Sequence, residues 1–257
     1  MRPVRILFLL LFGFFAVACA AGEGPARTEL VVSAASSLRG ALQEIDSLYQ
    51  RAHPEVVVHL NTAASGTLEQ QIRSGARVDV FIAAAEASMD ALQRAGLIEV
   101  ASRRDVAGNE LVLAVPAAGG APVASFRDLA RPEVKRVALG EPASVPAGAY
   151  AVETLHALGA WDAVRPKAIY AQNVRQVLAY LERGEVDAGL VYHSVALGSA
   201  RVRVVETAPA GSHHPIRYPA AVVATSTHTD AARAYLDFLA GAEARAVLAR
   251  FGFTLPD

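Results

Sequence analysis

Four turns hold the residues best suited to do chemistry. They are Ser33-Ala34-Ala35-Ser36-Ser37-Leu38, Thr62-Ala63-Ala64-Ser65-Gly66-Thr67-Leu68, Glu141-Pro142-Ala143-Ser144-Val145-Pro146-Ala147-Gly148 and Gln172-Asn173-Val174-Arg175. Each lies where a short apolar run gives way to an amphipathic stretch, the point at which a strand hands over to a helix. A helix start exposes backbone N–H groups without intrahelical partners, together with the positive end of the helix dipole. Small residues let a ligand approach that backbone closely, and hydroxyls add donors. The chemistry on offer is therefore capture of an anion by hydrogen-bond donors. Taken singly, each turn reads first as an N-cap, worth about 1 kcal/mol.

Rival chemistries are poorly supplied. No Gly-x-Ser-x-Gly elbow occurs for a serine hydrolase. His193-Ser194, taken as strand residues, would point to opposite faces and could not act as a pair. His213-His214, with His193, His53 or His59, offers imidazoles for a cation but lacks His-Glu-x-x-His or paired-cysteine spacing. Those two histidines read as a polar loop before a strand. Asp79, set in an apolar strand, reads as a structural carboxylate that needs hydrogen-bond partners. A secreted hydrolase is the alternative from another class.

The elements that must position the turns follow from periodicity. Strands are expected over 29–33, 56–60, 78–83, 111–115, 137–139, 168–170, 189–192, 202–205 and 220–224. Helices are expected over 38–52, 67–74, 87–95, 147–158, 174–183, 230–240 and 242–250. Such alternation predicts an α/β fold with mainly parallel sheets flanked by helices, whose ligands sit beyond the carboxyl ends of the strands. A formal net charge of −1 over 257 residues gives no basic field for nucleic acid or a membrane surface.

The N-terminus sets the compartment. Arg2 and Arg5 precede an apolar run over 6–18, too short to span a bilayer about 30 Å thick. This pattern reads as a secretory signal over 1–18, followed by a tether over 19–27. Ala16-Val17-Ala18 fits ordinary cleavage, whereas the same stretch followed by Cys19 fits a lipoprotein box, with Cys19 as the lipidated residue. Cys19 is the only cysteine, so no internal disulfide holds the fold. About 230 mature residues suffice for one large domain or two lobes.

From about residue 29 to 254 the chain resembles the periplasmic molybdate-binding proteins of ABC transporters. The four turns match in order, together with Val78-Asp79-Val80-Phe81-Ile82-Ala83, Gly159-Ala160-Trp161-Asp162, Gly189-Leu190-Val191-Tyr192, Tyr218-Pro219-Ala220-Ala221-Val222-Val223 and Arg250-Phe251-Gly252-Phe253. The resemblance implies a two-lobed type II periplasmic-binding fold with the oxyanion in the interlobe cleft. It places one lobe at 28–107 with 220–257 and the other at 108–219. Carried over by motif, Ser37 and Ser65 supply hydroxyl and backbone donors, Ala147 and Val174 supply backbone N–H groups, and Tyr192 donates its phenolic O–H. Gly66 departs from the serine of many members and puts a secondary contact in doubt.

The resemblance further implies an exported, periplasmic, monomeric protein with no cofactor and no enzymatic activity. Its partners would be a permease dimer with its ATPase, its membrane contact only the Cys19 anchor. Molybdate, or tungstate, carries no proton, so a pocket of donors without carboxylates suits it, whereas hydrogen phosphate also asks for an acceptor. Sulfate or another tetrahedral oxyanion is the alternative ligand.

Overall fold

The computed structural model describes residues 27–119 and 121–256. The expected signal, Cys19 and the tether up to residue 26 lie outside the described residues. The first elements are β1 (Thr28–Ala35), α1 (Arg39–Ala52), β2 (Val56–Ala63), α2 (Ser65–Arg73), β3 (Val80–Ile82), α3 (Glu86–Arg94) and β4 (Arg104–Asn109). Then come β5 (Leu111–Pro116), β6 (Val137–Gly140), α4 (Pro146–Ala157), α5 (Trp161–Val164), β7 (Ala168–Ala171), α6 (Val174–Glu182) and β8 (Ala188–Tyr192). The chain ends through α7 (His193–Ala196), β9 (Val202–Thr207), β10 (Ile216–Val222), α8 (Thr229–Ala240) and α9 (Ala242–Arg250).

Two five-stranded sheets result, ordered β2-β1-β3-β10-β4 and β7-β6-β8-β5-β9. In each, four strands share one direction and a fifth, β10 or β5, runs against them. Every residue of β5, β6 and β8 is buried, as expected for strands covered on both faces. The chain passes from the first sheet to the second through Glu110 and returns between Thr207 and Ile216.

Local departures from the sequence reading have physical causes. β4 escapes a periodicity search because Arg104, Asp105 and Asn109 break its apolar pattern, and its pairing with β10 shifts between Tyr218 and Pro219. β3 is shorter than the expected strand over 78–83. Just before it, Asp79 accepts the Val31 N–H (2.7 Å) and the Ser226 hydroxyl (2.6 Å), the partners expected of a buried carboxylate. His193 and Ser194 do not lie in a strand, as expected above, but open α7.

α1 buries Ala41, Leu42, Ile45 and Tyr49 on one face, and Asp46 goes in with them. Asp46 accepts the Tyr235 hydroxyl at 2.6 Å. Burial nevertheless outweighs that bond and pushes its carboxyl up to about 6. An acid held above its unfolded value of 3.8 is penalised when ionised. Stability is therefore withheld above pH 6 and restored as pH falls from 6 toward 3.8. Asp46→Asn is expected to raise unfolding free energy near pH 7.5 by about 1–3 kcal/mol, a gain that vanishes near pH 4. Denaturant titrations at the two pH values check it; a gain that does not change with pH would exclude ionisation as the cause.

Candidate anion site between the two sheets

A small, nearly closed cavity lies where the two sheets face each other, and all five expected contacts line it: Ser37, Ser65, Ala147, Val174 and Tyr192. Ser36, not singled out by sequence, joins them; the remaining lining is alanine, valine and proline. No charged side chain lines the wall. Larger grooves exist, one of them beside Gly66, Gln70 and Ser144. The small cavity gathers donors from both lobes with no charged side chain in its wall, whereas the groove beside Gly66 also carries Glu69.

The backbone donors come from helix starts that are left open. α2 begins after Ala64 and α4 after Val145, N-caps with no side-chain hydrogen bond. Apolar N-caps satisfy none of the orphan N–H groups of a first turn. Pro146 occupies the first position of α4, so Ala147 presents that helix's first N–H. α6 is capped by Asn173, whose side chain takes the Gln176 N–H at 3.1 Å and leaves that of Val174. The serines are not spent as caps either. Ser65 Oγ accepts the Ala84 N–H at 2.9 Å, which frees its own hydrogen to donate.

Tyr192 completes the wall. Its side chain is buried, its ring meets the Tyr218 edge at a centroid distance of 6.1 Å, and its hydroxyl has no hydrogen-bond partner among the described residues. Burial, with smaller contributions from Tyr218 and Tyr150, holds its phenol well above the ordinary tyrosine pKa. It is a neutral donor at any working pH. A buried polar group without a partner costs about 1–3 kcal/mol, an expense that an acceptor in the cavity would remove.

Two hydrogen bonds bridge the sheets beside the cavity. The Gly66 N–H donates to Ser144 O at 3.0 Å, and Arg175 Nε donates to Ser36 O at 2.6 Å. Gly66 is thus a seam residue rather than part of the cavity wall. A Cβ there would stand 2.8 Å from Ser144 O and 3.0 Å from Ser144 Cα, so glycine is what lets the seam close. Burial, and then the nearby Arg39 charge, pull the Arg175 pKa down from the usual guanidinium value.

A model of the bacterial extracellular solute-binding protein family matches residues 30–254. The chain belongs to that family. It is 41% identical, over 98% of each chain, to a Bacillus subtilis protein named as an ABC transporter substrate-binding lipoprotein. It is 39% identical to the molybdate-binding protein of Escherichia coli, over 88% of this chain and 89% of that one. The periplasmic molybdate-binding protein of Azotobacter vinelandii shares its fold with a TM-score of 0.79, covering 89% of this chain and 100% of that chain at 23% identity.

The solute-binding protein therefore has the two-lobed, helix-flanked α/β architecture expected. Among its described residues no helix is long and apolar enough to cross a membrane, and no group of three or more His, Cys, Asp or Glu could hold a metal ion. His213 is half-buried and His214 exposed, His214 lying against Glu153 at 3.0 Å. Sequence reasoning missed the Arg175 bridge because charge was summed over the whole chain, which hides a local cation.

Proposed function

We propose that this solute-binding protein captures molybdate, or the nearly identical tungstate, and delivers it to the permease dimer and ATPase of an ABC importer, without catalysing a reaction. The observation that carries the reading is the Tyr192 hydroxyl, buried without a partner among the described residues in a cavity whose other polar side chains are the hydroxyls of Ser36, Ser37 and Ser65. Ser37 and Ser65 give hydroxyl and backbone donors from one side, Ala147 and Val174 backbone N–H groups from the other. A dianion loses its hydration there and regains hydrogen bonds worth about 1.5–3 kcal/mol each. The moving bodies are 28–109 with 216–256, and 111–207, hinged at the two crossings; residues 108–109 and 216–219, which the sequence reading assigns to the second lobe, pair within the first sheet as parts of β4 and β10. Because the donors are divided between them, the ligand favours the closed arrangement.

Calorimetry with molybdate, tungstate, sulfate and phosphate on the purified protein tests the reading, and tighter binding of sulfate would sink it. Ser65→Ala removes one donor and is expected to weaken molybdate about 10- to 150-fold; unchanged affinity takes Ser65 out of the site. Export to the periplasm with a lipid anchor at Cys19 completes the proposal. Cys19→Ser then abolishes labelling by a fatty-acid analogue, and labelling that persists refutes the anchor.

A further inference from the structure

Behind the cavity wall, Ser37 is tied to a buried chain of polar side chains that makes no direct ligand contact. Ser37 Oγ lies 2.9 Å from Tyr218 Oη. Asn109 Nδ2 lies 3.1 Å from that phenol and 2.7 Å from Ser194 Oγ. All four side chains are buried. The hydrogens can be assigned from the one end whose polarity is fixed. Backbone N–H groups only donate, and those of Glu110 (3.0 Å) and, at longer range, Ser194 (3.4 Å) point at Asn109 Oδ1. The amide is thereby oriented, and the two hydrogens of Nδ2 go one to Ser194 and one to Tyr218. Tyr218 Oη accepts from Asn109, so its single hydrogen is directed to Ser37 Oγ. Ser37 Oγ is then an acceptor toward Tyr218, and its own hydrogen is left for the cavity it lines.

We propose that Asn109 and Tyr218 are positioning residues that pin the Ser37 hydroxyl as a donor, so that the site favours a fully deprotonated tetrahedral oxyanion over one carrying a proton. The inference rests on the oxyanion reading above and names what enforces its selectivity. An unpinned serine serves as donor or acceptor and accommodates the O–H of hydrogen phosphate; a pinned one does not. The location adds weight. Asn109 ends β4 at the first crossing between sheets, Tyr218 lies in β10 after the second, and Ser194 belongs to α7 beside the second sheet. One polar network thus spans both crossings and ends at the ligand.

The test compares molybdate with hydrogen phosphate, by direct and competitive calorimetry at about pH 8, where both anions carry two negative charges. Asn109→Asp replaces the donating end by an acceptor. Tyr218 then donates to the carboxylate and Ser37 to Tyr218, which turns a lone pair toward the cavity. The added charge opposes both dianions alike, so the ratio of their affinities reports hydroxyl polarity. That molybdate-to-hydrogen-phosphate ratio is expected to fall at least about tenfold. Tyr218→Phe adds no charge and merely releases Ser37, so its ratio falls less, about three- to tenfold. Should Asn109→Asp fail to fold, Tyr218→Phe decides alone. A wild-type ratio in Tyr218→Phe, or equal losses for both anions in Asn109→Asp, overturns the relay. The wild-type titration decides the molybdate reading separately: if sulfate proves the ligand, the same ratio is read with sulfate.

Discussion

Gly148→Ala is expected to cost about 3 kcal/mol or more of stability and to abolish anion binding. Gly148 is the third residue of α4, packed against the end of β6. A Cβ there would stand 2.0 Å from Gly140 O and 2.5 Å from Gly140 C. Both are backbone atoms, so no side-chain rotation relieves the overlap, and the helix start must leave the strand. Gly140 has the reciprocal constraint, since its own Cβ would meet Val145 Cγ1 at 2.5 Å. The N–H of Ala147 moves with the helix start, which couples the stability loss to the site. Urea denaturation measures the first effect and calorimetry the second. Wild-type stability in this variant would mean that α4 does not approach β6 as described.

Tyr192→Phe is expected to move two quantities in opposite directions. Without ligand, the substitution removes a buried hydroxyl that has no partner among the described residues. The unliganded protein should therefore gain about 1–3 kcal/mol. With ligand, the same substitution deletes a donor from the cavity, and affinity should fall about 10- to 150-fold. A purely structural tyrosine would lose stability when trimmed, and a bystander would change neither quantity. Thermal unfolding with and without molybdate reads both effects in one experiment, because saturating ligand adds less stabilisation when its affinity is lower. Unchanged affinity would remove Tyr192 from the site.

The alternation of strands and helices was legible because buried strands and amphipathic helices leave different periods in the sequence. Thus α1 and β5 stand close to their expected positions, whereas polar β4 left no period to find. The candidate contacts were only partly legible. Residue type placed serines and an asparagine at helix starts, where capping is the first explanation; the resemblance, not the spacing, singled out Ser37 and Ser65. Only the fold shows that Ala64 and Val145 occupy the N-caps of α2 and α4 while Ser65 binds the Ala84 N–H. The Ser37–Tyr218 pair joins residues 181 positions apart, a separation no local pattern encodes. Arg175 stood in the fourth turn, but its bond to Ser36 was invisible for a related reason, the two lying 139 positions apart across the seam.

The absence of charged side chains from the cavity wall has a consequence for unloading. Nothing on the wall titrates near neutrality or clings to the cargo through a full opposite charge. Prising the two halves apart strips the anion of half its grip in a single movement, and water can replace the lost contacts at once. A transporter that pulls the halves open needs neither a proton nor an exchanged ion at the cavity to empty its carrier.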